Sequence, residues 1–159
     1  MSKTLVAYFS ASGVTARLAK TLAEAAGADL YEIRPAEPYS QADLNWMDKG
    51  SRSTVEMQDK SCRPAMADPM PDLAGYDTVF VGFPIWWYEA PRIIHTFLEA
   101  GDFSGKTLIP FATSGGSGMG KTDGILQKVC PAARWLPGRR LNGGASVAQV
   151  QDWLRSLGL

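Results

Sequence analysis

The feature that most constrains the fold is an apolar run followed at once by a turn and a helical pattern. Residues 4–9 form the run, and apolar residues then recur at helical spacing within residues 14–25. Two further runs, residues 76–83 and 106–113, are each followed by a segment with helical spacing. Near-continuous apolar runs are typical of parallel strands that helices cover on both faces. The sequence therefore predicts an α/β domain with a parallel sheet and right-handed crossovers.

Weaker patterns complete this arrangement. Residues 30–33 alternate and predict a strand near an edge of the sheet, and residues 134–136 predict a short fifth strand. Ser146 and Gln149 form a capping box that begins a last amphipathic helix. The pattern as a whole predicts five strands alternating with helices.

A long connection, residues 34–75, separates the second predicted strand from the third. Its pattern predicts helical pieces at residues 43–49 and 53–60, followed by a proline-rich tail. Connections of this length within a compact domain are usually functional or partly mobile. Arg63, which precedes a proline in this connection, is a candidate to reach a bound ligand.

Composition indicates an ordinary globular domain, and we expect a single domain spanning residues 1–159, of which 45% are hydrophobic and 20% charged. Sixteen basic residues balance sixteen acidic ones, which argues against a nucleic-acid-binding surface. Cys62 and Cys130 lack metal-ligand spacing and are expected to be reduced thiols. No apolar segment is long enough to span a membrane, so we expect no membrane insertion and a cytoplasmic location.

The turn at residues 10–15 is a candidate phosphate site. The first N–H groups of a helix have no partner within the helix and lie at the positive end of its dipole. Ser10, Ser12 and Thr15 can add hydroxyl donors, and Gly13 allows a close approach of the backbone. The alternative is an ordinary helix cap, for which serine and threonine are also favoured.

Two other loops follow the predicted third and fourth strands. Residues 83–88 contain four aromatic residues in six positions, which can form the walls of a slot for a planar ring. Capping of the core or a subunit contact is the alternative for these rings. Residues 114–118 are rich in glycine. Because the carboxyl ends of parallel strands meet at one edge, the three loops suggest a ligand with a phosphate and a flat aromatic system.

Residues 115–122 also match G-x-x-x-x-G-K-[ST], the P-loop of nucleoside triphosphatases, with Lys121 and Thr122 at its end. No later predicted strand ends in an aspartate that could supply the second metal contact of such enzymes. A P-loop NTPase is therefore the less favoured alternative.

The chain resembles flavodoxin-like proteins over essentially its whole length, on residues 8–15, 82–87 and 110–118. The resemblance implies a doubly wound, five-stranded parallel sheet in the order 2-1-3-4-5, with helices on both faces and bound FMN. It also implies that the first loop holds the phosphate and that the other two border the isoalloxazine. The implied cofactor-binding residues are Ser10, Ala11, Ser12, Gly13, Val14, Thr15, Pro84, Ile85, Trp86, Trp87, Tyr88, Thr113, Ser114, Gly115, Gly116, Ser117 and Gly118.

In a flavoprotein the cofactor carries the redox chemistry, so no catalytic side chain is assigned and no metal is expected. The only histidine, His95, is expected to be a surface or packing residue. We expect an oxidoreductase that passes electrons from NAD(P)H or a redox partner to a quinone-like acceptor. The alternatives are an electron-transfer shuttle without a small-molecule substrate and a flavin-dependent regulatory module. Zero net charge provides no steering field for a charged protein partner, which favours small acceptors.

Overall fold

The computed structural model describes residues 3–11, 13–114, 118–141 and 144–159. The strands are β1 (Lys3–Tyr8), β2 (Asp29–Glu32), β3 (Tyr76–Pro84), β4 (Thr107–Thr113), β5 (Arg134–Trp135) and β6 (Arg139–Arg140). The helices are α1 (Val14–Ala26), α2 (Arg52–Gln58), α3 (Arg92–Ala100), α4 (Thr122–Val129) and α5 (Val147–Ser156). None of these helices is both long and apolar enough to cross a membrane.

All strand pairs in the sheet are parallel, and the order β2-β1-β3-β4-β5 confirms the predicted topology. The predicted fifth strand, at residues 134–136, is present as β5, and a further short strand, β6, was not predicted. Both β5 and β6 pair with β4, at opposite ends of that strand. Gly138, between them, donates its N–H to the Asp123 carboxylate, and a Cβ there would lie 2.6 Å from Pro110. The chain therefore leaves the β4 edge at this glycine and returns to it.

Helices cover both faces of the sheet, as predicted. The face formed by α1 and α5 buries Leu18, Leu22 and Trp153 against Val6 and Phe80. The opposite face buries α3 and α4 residues against the alternate positions of the same strands. Each fully buried leucine contributes about 1.5–3 kcal/mol through removal of apolar surface from water. The Ser146–Gln149 capping box is present at the start of α5, which confirms the prediction.

The core-facing stripe of α1 differs from the predicted one. Val14 is 47% exposed, whereas Thr15 is buried. The buried residues Thr15, Leu18, Ala19 and Leu22 form one continuous stripe, and Val14 lies outside it at the exposed start of the helix.

The long connection contains one helix, α2. Residues 43–49, predicted to be helical, form turns instead. The side chains of Asn45 and Asp48 accept hydrogen bonds from backbone N–H groups two residues later, and such local bonds compete with helix formation. Farther along, the backbone of residues 34–36 pairs with that of residues 65–67. The connection is therefore tied back onto the segment that follows β2.

Candidate functional site

The β1–α1 turn presents backbone donors that have no partner among the described residues. Gly13 is the N-cap of α1, with a φ of 92° that favours glycine, and it has no side chain to cap the helix. Ser10 Oγ accepts a hydrogen bond from the Gly13 N–H at 3.1 Å. Within the described residues, no group accepts from the amides of Val14, Thr15 or Ala16, and the first turn contains no acidic residue. The positive end of α1 is thus open to an anion.

Thr15 connects this turn to the end of β4. Its hydroxyl lies 2.8 Å from the hydroxyl of Thr113, and both side chains are buried. The Ile85 N–H also donates to the Thr113 carbonyl at 2.9 Å. The turn after β1 and the aromatic loop after β3 therefore both hydrogen-bond to Thr113, and the glycine-rich loop begins directly after Thr113. Ser12, Gly115, Gly116 and Ser117, which were also predicted here, lie outside the described residues.

The aromatic loop after β3 is a tight turn with an uncommon backbone. Trp86 and Glu89 exchange both backbone hydrogen bonds, at 2.9 and 3.0 Å. The two residues between them, Trp87 and Tyr88, have φ values of 49° and 64°. Bulky side chains rarely adopt this left-handed conformation, which costs about 1–3 kcal/mol for each residue. Such strain persists only where surrounding contacts enforce it.

One of those contacts comes from the segment that resembles a P-loop. The hydroxyl of Thr122, which is buried, donates to the Tyr88 carbonyl at 3.2 Å. Gly120 adopts a φ of 56° beside the same carbonyl. Lys121 is exposed. The described part of this motif therefore braces the aromatic turn, and no observation here favours a nucleoside triphosphate.

A cavity of about 430 Å³ opens between the aromatic turn and the long connection. It is lined by Leu44, Trp46, Ser53, Ile85, Trp86, Trp87 and Tyr88. None of these side chains is charged. Trp46 and Tyr88, each 70% exposed, contribute to its lining. This composition suits a neutral planar ligand rather than an anion.

Ser53 is the polar group of this cavity that sequence reasoning missed. It is 2% exposed, and its hydroxyl has no hydrogen-bond partner within the described residues. A buried hydroxyl without a partner costs about 1–3 kcal/mol, so a ligand group that bonds it would recover that free energy. Leu44 and Trp46 were missed as well. The exposed apolar pair at Trp46 and Met47, within a polar stretch, was the available sequence signal.

Aromatic packing and a buried carboxylate hold the long connection against the site. Tyr39 packs edge-on against Phe9 and Trp86, with ring centroids 5.6 and 5.5 Å away. Its hydroxyl donates to Glu56, and the Arg52 guanidinium lies 3.9 Å from the centre of its ring. Burial raises the pKa of Tyr39, and the hydrogen bond to Glu56 raises it further. The phenol therefore remains a donor across the physiological pH range.

Arg92 joins α2 to the aromatic turn. It is 1% exposed and donates to the carbonyl oxygens of Glu56 and Met57. A third bond, of 3.2 Å, reaches the carboxylate of Glu89 at the end of the turn. One buried guanidinium thus fixes both walls of the cavity relative to each other.

Arg63, a candidate from sequence to reach a bound ligand, does not line the aromatic cavity. Both of its terminal branches are engaged, with Nε and Nη2 donating to the Glu99 carboxylate at 2.9 and 3.0 Å. Nη1 donates to the Lys60 and Cys62 carbonyls. Cys62 and Cys130 are both free thiols, which confirms the prediction.

Comparison with known proteins identifies the class of protein. The flavodoxin family matches residues 3–157, and the chain belongs to that family. A Bacteroides uniformis protein assigned as a flavoprotein is 56% identical, with a TM-score of 0.93 and coverage of 97% of this chain and 98% of that chain. A second such protein, from Bacteroides eggerthii, is 49% identical, with a TM-score of 0.95 and coverage of 100% and 99%.

A more distant structure shares the fold. The flavoprotein from Lactobacillus acidophilus, solved in complex with FMN, is 20% identical, with a TM-score of 0.71 and coverage of 97% of this chain and 99% of that chain. A search of curated proteins found no match.

Proposed function

We propose that this protein binds FMN at the carboxyl edge of its sheet. The phosphate lies at the open N-terminus of α1, and the ring system lies against the aromatic turn. Support comes from the uncapped amides of the first turn of α1, which provide several donors and no negative charge. The FMN complex of the Lactobacillus acidophilus flavoprotein, which shares this fold, supports the same cofactor.

We further propose that the protein is an oxidoreductase that passes electrons from NAD(P)H to a quinone-like acceptor. Bound FMN supplies the reversible electron and hydride chemistry. The chain itself binds and orients the reactants. The observation that carries this proposal is the neutral aromatic cavity, in which the buried Ser53 hydroxyl has no hydrogen-bond partner among the residues that the structure describes. A hydroxyl in such a cavity can donate to a quinone carbonyl and fix the orientation of the ring.

Anaerobic stopped-flow mixing tests this function. The flavin-loaded protein is mixed with NADH or NADPH, and the flavin absorbance is followed before and after addition of a benzoquinone. We expect at least one nucleotide to bleach the flavin and the quinone to restore its absorbance. If neither nucleotide bleaches the flavin, while a reductase protein does, the protein is an electron-transfer shuttle.

Replacement of Ser53 by alanine is expected to separate acceptor binding from folding. Because the hydroxyl is buried without a partner, its removal should leave the free energy of unfolding unchanged or raise it by about 1 kcal/mol. The KM for the quinone should rise roughly five- to tenfold through loss of one hydrogen bond. Steady-state kinetics and urea unfolding measure the two effects. Ser61→Ala, on the same connection but outside the cavity, is the control, and an equal KM in both variants would contradict the role of Ser53.

A further inference from the structure

A second cavity, of about 440 Å³, lies between α3, α4 and the part of the long connection that follows α2. Its lining differs from that of the aromatic cavity because it is mainly charged. Lys60, Arg63, Arg92 and Lys128 contribute four cationic groups, and Glu89 and Glu99 contribute two carboxylates. The aromatic cavity therefore suits a neutral ligand, whereas the second cavity suits a charged one.

The charges of this second cavity do not cancel. Arg63 pairs with Glu99, and Arg92 pairs with Glu89. The ammonium groups of Lys60 and Lys128 have no acidic or hydrogen-bonding partner within the described part of the chain. Two positive charges are thus left at one cavity, which matches the charge of a phosphate monoester.

His95 provides an independent observation at the same cavity. It is 4% exposed and lines the cavity, and neither ring nitrogen has a hydrogen-bond partner within the described residues. A neutral imidazole carries one N–H donor and one acceptor, and burial of both without partners is costly. Each ring nitrogen exposes less than 1 Å² of surface, so a small shift of the side chain would let an anion in the cavity accept from the ring N–H and satisfy the donor. The expectation that His95 only fills space does not account for these two unpartnered atoms.

We propose that this cavity binds a phosphate group of a small molecule, held by Lys60, Lys128 and the ring N–H of His95. Arg63 and Arg92, each already paired with a glutamate, shape the wall. The phosphate belongs either to a free phosphorylated compound or to a nucleotide such as the proposed NADPH donor. The site does not require bound FMN, so it stands or falls separately from the flavin proposal.

The single histidine offers a direct measurement. Burial, together with the charges of Arg63 and Arg92, lowers the pKa of His95 to about 4, while Glu89 and Glu99 act weakly in the opposite direction. A bound dianion favours the charged imidazolium and therefore raises this pKa. The Hε1 signal of the only histidine can be followed by NMR on the full chain without assignment of other residues.

Inorganic pyrophosphate and NADP⁺ are the two probes. We expect at least one to shift the Hε1 signal saturably and to move the pKa of His95 from about 4 toward its ordinary value. Saturation by pyrophosphate at the lower concentration identifies a free phosphate compound, and saturation by NADP⁺ at the lower concentration identifies a nucleotide. If neither probe shifts the Hε1 signal, the proposal is overturned.

Lysine variants test which groups hold the anion. In Lys60→Gln/Lys128→Gln, probe affinity should fall at least tenfold, because both charge-assisted hydrogen bonds to the anion are lost. Lys20→Gln/Lys49→Gln removes the same charge from exposed positions outside the cavity and should leave the affinity within about twofold. Equal losses in the two double variants would show that the probes respond to net charge alone and would overturn the site. Since all four lysines are exposed, neither variant is expected to impair folding.

Discussion

Val14→Asp is expected to reduce the affinity for FMN by roughly a hundredfold while leaving riboflavin binding nearly unchanged. Val14 is the first residue of α1 and is exposed, so a carboxylate there lies beside the proposed phosphate position. Two like charges about 4–5 Å apart near a protein surface repel by a few kcal/mol, which exceeds the 2.7 kcal/mol of a hundredfold change. Riboflavin lacks the phosphate and avoids this repulsion.

The same substitution is expected to stabilise the protein without its cofactor. An aspartate in the first turn of a helix interacts favourably with the helix dipole, by about 0.3–1 kcal/mol. We therefore expect a lower FMN affinity, measured by flavin fluorescence titration, and a higher melting temperature of the cofactor-free protein, measured by thermal unfolding. Val14→Asn is the matched control, because asparagine has nearly the same shape as aspartate and no charge. A loss of FMN affinity in the asparagine variant as large as that in the aspartate variant would contradict a phosphate at this helix.

Arg92→Ala is expected to lower the free energy of unfolding by about 3–5 kcal/mol. The guanidinium is buried, and its removal leaves the carbonyls of Glu56 and Met57 and the carboxylate of Glu89 without their donor. Because those groups belong to both walls of the aromatic cavity, quinone turnover should fall more than FMN retention does. Urea unfolding and the flavin content of the purified protein measure the two effects.

Arg155→Ala is the matched control for this prediction. Arg155 also pairs with a carboxylate three residues away, but both partners are exposed and the pair contributes little stability. We expect a change below about 0.5 kcal/mol there. If Arg92→Ala were equally mild, the long connection would be held mainly by the aromatic packing around Tyr39, and the role assigned to Arg92 would be wrong.

The sheet and its covering helices could be predicted because their signals are local. Near-continuous apolar runs marked β1, β3 and β4, and Ser146 with Gln149 marked the start of α5. The short fifth strand was predicted at residues 134–136, where β5 forms, but β6 could not be predicted, because a strand of two residues leaves no periodicity to read. Its position depends on pairing with β4.

The site was only partly predictable, because part of it depends on tertiary contacts that no sequence pattern indicates. Its three loops follow strands, and topology alone places them at one edge. The long connection has no such rule, so the cavity contacts of Leu44, Trp46 and Ser53 depend on tertiary bonds from Arg52, Arg92 and Tyr39. The helix wrongly predicted at residues 43–49 has a different, local origin, since asparagine and aspartate side chains there satisfy the backbone.

The hydrogen bond between Thr15 and Thr113 limits how many hydroxyl donors the site offers to a ligand. Each hydroxyl has one hydrogen, and the bond between them consumes one of the two, with either oxygen able to donate. Only one hydrogen of the pair thus remains for the ligand. If it comes from Thr15, it belongs to the β1–α1 turn, and if it comes from Thr113, it belongs to the end of β4. A ligand that accepts from one hydroxyl leaves the other to donate within the pair, so only one end of the site at a time can receive a hydrogen bond from these two threonines.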